Sequence, residues 1–180
     1  MKKIFFSALL ALVLITFSGC GPMNEKLHIP ASKGNLEKIK QEINNGTDVN
    51  SLDIVGQTAL MYASEAGRLD VVKYLISKGA DVNIKGNKRT LGTALIFAAK
   101  ANRSSIVSYL LENGAFPNAT TVNNETALHY ASVFGHDSIV KILLTNGVDR
   151  NIQNKDGQTA LDLAKKFKRS EVIAVFNEVK

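Results

Sequence analysis

Thr58-Ala59-Leu60-Met61-Tyr62-Ala63 decides the fold, because it returns three times along the chain. It reappears as Thr93-Ala94-Leu95-Ile96-Phe97-Ala98, as Thr126-Ala127-Leu128-His129-Tyr130-Ala131 and as Thr159-Ala160-Leu161-Asp162-Leu163-Ala164, at intervals of 35, 33 and 33 residues. Self-similarity at a fixed period of this length is the signature of a repeat architecture. A second marker keeps step with the first. Gly46, Gly79, Gly114 and Gly147 each close an apolar helical pattern and lead into Asp48-Val49-Asn50, Asp81-Val82-Asn83, Phe116-Pro117-Asn118 and Asp149-Arg150-Asn151. Two independent markers sharing one period are hard to obtain by chance.

One unit can be read from its residues. Thr58 is suited to cap a helix, since its hydroxyl can accept a hydrogen bond from a free N–H of the first turn. Leu60 and Ala63 fall on one face at i, i+3, and Gly67 ends this short helix with a residue that tolerates the left-handed conformation. Val71, Val72, Leu75 and Ile76 then place an apolar stripe on a second helix, which Gly79 stops. The small Ala59 and Ala63 allow helices to approach closely. A single unit cannot bury its stripe on both sides, so units must stack, and stability comes largely from nearest-neighbour interfaces. The ends should then differ from the middle. Pro30 stands where other units have the core alanine, and Lys168-Arg169 stands where Gly67-Arg68 and Gly135-His136 stand. These end units are read as caps.

The pattern resembles the ankyrin-repeat family, whose consensus runs Gly-x-Thr-Pro-Leu-His-x-Ala-Ala, a Gly-His turn, Val-Val-x-x-Leu-Leu and Gly-Ala-Asp-x-Asn. The resemblance covers about residues 27–180 and implies an all-α solenoid of about five stacked helix-turn-helix units with β-hairpin-like finger loops. The units fall near 27–52, 53–86, 87–120, 121–153 and 154–180. The family's Thr-Pro is Thr-Ala in all four full units, which costs a little helix pre-organisation and nothing in topology. Asn102 replaces the turn glycine of the third unit, a substitution that the left-handed region accepts. Between Asn83 and Thr93 lie two extra residues, with Lys85, Lys88 and Arg89 among them, so that finger should be longer and basic.

Composition agrees with a folded, helix-rich body: 180 residues, 45% hydrophobic and 21% charged, with no Trp and three prolines. The formal charge is +6, or +4 without Lys2 and Lys3, with basic residues spread along the chain. That distribution argues against nucleic acid, which needs cations gathered on one face among stacking aromatics. The one concentration, Lys165, Lys166, Lys168 and Arg169, reads as a solvated helix face ahead of a phosphate site.

Lys2 and Lys3 precede a mostly apolar run from Ile4 to Phe17, then Ser18, Gly19 and the sole cysteine, Cys20. This pattern reads as a secretory signal over residues 1–19; the run of 14 is short of the ~20 apolar residues that span a bilayer. Ser-Gly-Cys resembles the end of a bacterial lipobox, although Phe17 stands where leucine is usual. The resemblance implies acylation of Cys20 as the mature N-terminus, with an unmodified thiol beside an ordinary cleavage site as the alternative. Multiple acyl chains anchor stably at ~0.8 kcal/mol per buried CH₂. Residues 20–26 would form a linker whose six residues after Cys20 reach ~20 Å, keeping the body near the membrane. Gly21, where many inner-membrane lipoproteins carry Asp, favours by resemblance the outer membrane facing the periplasm.

Catalytic chemistry finds no foothold in the spacing. His28, His129 and His136 are read at three different phases of the repeat, so no metal site is expected, nor any cofactor or small-molecule substrate. His129, at the family's Leu-His position, is expected to bond backbone between neighbouring loops, and His136 to be structural. No phosphate loop, nucleophile elbow or zinc-protease pattern occurs, and the chain is expected not to be an enzyme. Function must then be sought on the surface. Carried over from the family's variable positions on the concave face, the partner-binding residues are Ile54, Val55, Gln57 and Glu65 in the second unit and Arg89, Thr90 and Lys100 in the third. Val122, Asn123, Glu125, Val133 and Phe134 follow in the fourth, and Lys155, Asp156, Lys166 and Phe167 in the last. Ile54, Val55, Val122, Val133, Phe134 and Phe167 are apolar there, rimmed by Lys and Glu, as a protein interface would be. Phe134 and Phe167 are either docking anchors or filler between adjacent first helices. The expected role is a lipid-anchored module that binds a protein partner in the cell envelope. It would act as an inhibitor or immunity-type protein blocking an enzyme, or as a scaffold stabilising one.

Overall fold

Each full unit begins where a threonine turns an extended segment into a helix. Thr58 sits at φ −91°, ψ 161°, and its Oγ1 accepts the Met61 backbone N–H at 3.3 Å. Met61 returns the favour through Sδ, 3.5 Å from Thr58 N. The fourth and fifth units close the same reciprocal cap with different chemistry: His129 Nδ1 accepts Thr126 N at 3.1 Å, and Asp162 Oδ2 accepts Thr159 N at 3.0 Å. Ile96 occupies this position in the third unit and has no acceptor to offer. Thr93 makes no side-chain cap bond there, and its buried hydroxyl is without a hydrogen-bond partner.

The computed structural model describes residues 25–86 and 92–179. Among them run ten helices in five pairs. The pairs are α1 (Glu25–Lys33) with α2 (Leu36–Asn44), α3 (Ala59–Ala66) with α4 (Leu69–Ser77), α5 (Ala94–Lys100) with α6 (Ser104–Glu112), α7 (Ala127–Phe134) with α8 (Asp137–Thr145), and α9 (Ala160–Lys166) with α10 (Ser170–Glu178). The first turn of α1 takes in Glu25 and Lys26, at the end of the stretch expected as linker. Among the described residues no helix is long and apolar enough to cross a membrane.

The turn between paired helices needs one residue in the left-handed region, and every unit supplies it at the same phase. Gly34, Gly67, Asn102, Gly135 and Lys168 have φ of 76°, 78°, 58°, 78° and 54°. Glycine and asparagine enter that region at little cost, whereas Lys168 bears a Cβ penalty of roughly 1–2 kcal/mol. The residue that follows ties each unit to the one before. Arg68 Nε donates to Ser32 O at 3.1 Å, Arg103 Nε to Glu65 O at 3.1 Å and Arg169 Nε to Val133 O at 2.8 Å. His136 Nε2 lies 3.2 Å from Lys100 O, so Nε2 carries the proton. These carbonyls end first helices, where no intrahelical donor remains and a cation also meets the negative end of the helix dipole.

First helices α1, α3, α5, α7 and α9 stack in order, each packing closely on the next, and the second helices form a looser outer row. Leu27, Leu60, Leu95 and Leu128 recur at one phase and are buried, within a single apolar cluster that runs from Leu27 to Phe176. Leu161, at the same position in the fifth unit, is half-buried, and among the described residues no further first helix packs against α9. Arg150 stands where Val49 and Val82 stand and uses its guanidinium to close α10, donating to Phe176 O and Val179 O over the Phe176 ring. The last unit thus differs from the middle ones as a cap should.

Candidate functional site

Between one unit and the next, the chain must cross from a second helix to the following first helix while leaving the intervening backbone satisfied. A ladder of asparagines does this. Asn50 donates to Gly79 O at 3.2 Å and accepts Asp81 N at 2.8 Å; Asn83 donates to Gly114 O at 2.9 Å and accepts Phe116 N at 2.7 Å; Asn118 accepts Asp149 N at 2.9 Å. Beyond the ladder each finger folds back on itself. Asp53, Thr121 and Asn154 hold the tips, their side chains accepting the N–H groups two and four residues on, at 2.9 to 3.3 Å. The closing backbone bonds are Asp53 N to Gln57 O, Thr121 N to Glu125 O and Asn154 N to Gln158 O, each 2.9 Å. In the third unit the matching bond runs from Gly86 N to Gly92 O at 3.1 Å, which leaves room for two more residues. The longer finger expected from the spacing is therefore present. The hairpin-like fingers reverse by turns, and among the described residues they contain no paired strands.

Two tyrosines on first helices brace the fingers. Tyr62 OH donates to Asp53 Oδ2 and Tyr130 OH to Glu125 Oε2, each at 2.8 Å. Burial and the adjacent carboxylate push both phenols up to about 12. Burial also pushes the Asp53 carboxyl up, but hydrogen bonds from Gln57 N, Tyr62 OH and Val55 N outweigh it and hold Asp53 below its ordinary value. Neighbouring fingers also join directly. Lys155 N donates to Asn123 O at 3.0 Å, and Asn124 Nδ2 to Gln153 O at 2.6 Å. His129 ties its helix to the next finger, with Nε2 3.2 Å from Gln158 O. Burial holds its pKa below the ordinary value despite that carbonyl. This is the backbone-bonding role expected of it.

One expectation needs correction. His28 and His129 do not differ in phase: both follow the core leucine of their units, Leu27 and Leu128, and both direct Nε2 at a carbonyl of the following finger region. His28 Nε2 lies 3.2 Å from Ser51 O, and its ring meets Tyr62 edge-on. The first unit lacks the threonine that marks the others, which hides the shared phase in the sequence. Among the described residues no group of three or more His, Cys, Asp or Glu side chains could hold a metal ion.

The described residues expected to dock lie on the finger segments and on, or at the ends of, the first helices. Ile54 is 71% exposed and Val122 49%, at the same phase on two finger tips. Phe134 and Phe167 are each 45% exposed, at the ends of α7 and α9, so neither is wholly filler. Val55, Gln57, Glu65, Glu125 and Val133 are half-buried, and Lys100, Asn123, Lys155, Asp156 and Lys166 are exposed. Arg89, Thr90 and Cys20 lie outside the described residues. Sequence reading passed over Phe116, 64% exposed, which stands where Asp48, Asp81 and Asp149 cap their own turns. An apolar residue at an aspartate phase was the available signal.

Two-helix units that seal one another's flanks and leave fingers and first-helix ends to solvent define a class, the solenoid interaction module. The chain belongs to the ankyrin-repeat family: the family model for ankyrin repeats in three copies matches residues 27–121, and the model for many copies matches residues 117–164. It is 43% identical over 63 residues to the E3 ubiquitin-protein ligase XBAT33 of Arabidopsis thaliana, covering 35% of this chain and 12% of that one. It is 40% identical over 65 residues to ankyrin repeat domain-containing protein 29 of Danio rerio, covering 36% and 22%. With a putative ankyrin repeat protein of Rickettsia bellii it shares 38% over 69 residues, covering 35% and 41%. The matches thus cover between 12% and 41% of the length of these relatives, and the ligase shares only its repeats. Ankyrin repeats are a protein-interaction module and in general not a catalytic one.

Proposed function

We propose that this chain is a membrane-anchored module that docks a protein partner in the cell envelope on its finger-and-first-helix face, the concave face of the family. The observation that carries the reading is the exposure of Ile54, Val122, Phe134 and Phe167 at positions where the repeat itself requires no apolar residue. Leaving such side chains in water forgoes about 25 cal/mol per Å² of apolar area, which a partner recovers on covering them. Anchoring is supported by Lys2-Lys3, the apolar run 4–17 and Ser18-Gly19-Cys20. Gly21, where many inner-membrane lipoproteins carry Asp, supports by resemblance the periplasmic side of the outer membrane.

Capture from membranes by the acylated full chain, repeated with Phe134→Ala and Val122→Ala, tests the docking face. A specific partner whose recovery drops with either variant supports it, and unchanged recovery by both sinks it. Radiolabelled palmitate should enter the wild-type chain and not Cys20→Ser; equal labelling of both would remove the anchor. Loss of the partner's activity on binding marks an inhibitor, and retained activity with raised stability marks a scaffold.

A further inference from the structure

The C-terminal half of the inner face differs from the rest in both charge and aromatic content. One row of equivalent positions along the first helices reads Ser32, Glu65, Lys100, Val133 and Lys166, so its charge turns from negative to positive after the second unit. The next row reads Lys33, Ala66, Ala101, Phe134 and Phe167, so aromatic rings appear only in the last two units.

Side-chain contacts join these residues into one surface across three units. His136 stacks on Phe134 with ring centroids 5.9 Å apart and an interplanar angle of 20°, while its Nε2 lies 3.2 Å from Lys100 O. Arg169 is pinned beside Phe134 by its 2.8 Å bond to Val133 O. Lys166 Nζ lies 5.9 Å from the centroid of the Phe167 ring, and exposed Lys168 follows in the turn. Among the described residues, no carboxylate lies within ion-pair distance of Lys100, Lys166, Lys168 or Arg169; the ion pairs there are Lys38–Glu42, Lys40–Glu37 and Lys141–Glu178. Asp162, the acid on α9, is committed to the cap of Thr159, which its Oδ2 meets at 2.7 and 3.0 Å. Asp137 and Glu171 belong to the first turns of the second helices α8 and α10.

Resting on the docking reading above, we propose that the third to fifth units recognise an acidic segment of the partner that carries an aromatic or large apolar side chain. The apolar group covers Phe134 and Phe167, and its flanking carboxylates meet Lys100, Lys166, Lys168 and Arg169. Four cations without carboxylate partners attract such a segment over about 8–10 Å at ordinary salt and repel a basic one. Each phenylalanine is more than half buried against its neighbours, so it offers a ring face to a partner side chain and no wedge to enter a bilayer. This favours a peptide over a lipid surface.

The test is a fluorescence anisotropy titration of the full chain with a labelled dodecapeptide of four Glu-Glu-Phe triplets. Comparison probes are an all-Glu dodecapeptide, four Lys-Lys-Phe triplets and phosphatidylglycerol vesicles. The Glu-Glu-Phe peptide should bind at least about tenfold more tightly than either peptide control and weaken as salt rises. Phe134→Ala/Phe167→Ala should lower its affinity about tenfold, and so should Lys100→Glu/Lys166→Glu, which reverses two exposed charges and leaves the core intact. Equal binding of the three peptides, indifference to both double variants, or an inert peptide with vesicle binding that Lys100→Glu/Lys166→Glu weakens would overturn the proposal. If Val122→Ala abolishes capture of the membrane partner while the charge-reversed variant captures it as well as wild type, the acidic-segment assignment fails and inner-face docking stands. If no inner-face variant alters capture, the docking reading itself falls.

Discussion

At the scale of single residues, the molecule is held by side chains that satisfy backbone groups of the next unit. Asn83 is the clearest instance, bonding both Gly114 O and Phe116 N, whereas Asn151, at the same phase, makes no such pair of side-chain bonds among the described residues. Two hydrogen bonds at about 1 kcal/mol each imply that Asn83→Ala loses about 2 kcal/mol in urea denaturation, and Asn151→Ala close to nothing. Equal losses would mean that the ladder does not carry the coupling. His129 gives a pH signature. Its folded-state pKa lies below the ordinary 6.5 because burial disfavours the imidazolium, so the unfolded chain binds the extra proton more readily. Its contribution to stability is complete above that ordinary value and is lost as pH falls from it through the folded value. The wild type should therefore lose stability between pH 7 and 5 more steeply than His129→Gln; parallel curves would contradict this. Tyr130 acts at the other end: its phenol is raised to about 12 from 10.0, so stability is full below 10 and lost as pH rises toward 12. Tyr130→Phe should flatten that alkaline limb. The fold partner of His129 was legible from its place after Leu128. The shared phase of His28 was hidden because the first unit offers no threonine from which to count.

At the scale of elements, the five turns between helix pairs adopt one conformation with three kinds of residue. Gly67 has φ of +78°, and a Cβ placed there would sit 2.9 Å from Arg103 Nε, the atom that binds Glu65 O. Gly67→Ala should cost about 1–2 kcal/mol through the left-handed penalty, with displacement of the Arg103 tie in addition. Lys168→Gly relieves the same penalty without disturbing a tie, and should raise the midpoint by about 1 kcal/mol of stability. Opposite signs in thermal or urea unfolding are the expected result, and a destabilising Lys168→Gly would refute the common geometry. Asn102 in this role was readable in advance, since asparagine tolerates the region. The missing cap of α5 was not: threonine is present at residue 93 as in the other full units. Ile96 stands in the repeat where Met61, His129 and Asp162 stand, but only the structure shows that those three side chains answer the threonine N–H.

At the scale of the whole molecule, period and architecture were the most legible features, because stacking forces every unit to repeat the same core leucine and the same turn. The two additional residues of the third finger were visible as a change of interval and appear as the Gly86–Gly92 closure. The ties formed by Arg68, Arg103, His136 and Arg169 were less visible, since a polar residue after the turn looks like any solvated side chain until the preceding carbonyl is in place. The docking face was legible only in outline. Position within the repeat points to it, but exposure, which depends on neighbours, separates Ile54, Val122, Phe134 and Phe167 from the half-buried Val55 and Val133. The central claim is that stacked units leave this one face for a protein partner. It is tested most directly by photo-crosslinking in intact envelopes, with benzoylphenylalanine placed in the full chain at Val122 or Phe134 and, as controls, at the exposed outer-helix residues Ser77 and Glu112. The account predicts one discrete protein adduct from Val122 and Phe134 and none from Ser77 or Glu112; a discrete adduct from the outer helices alone would contradict it.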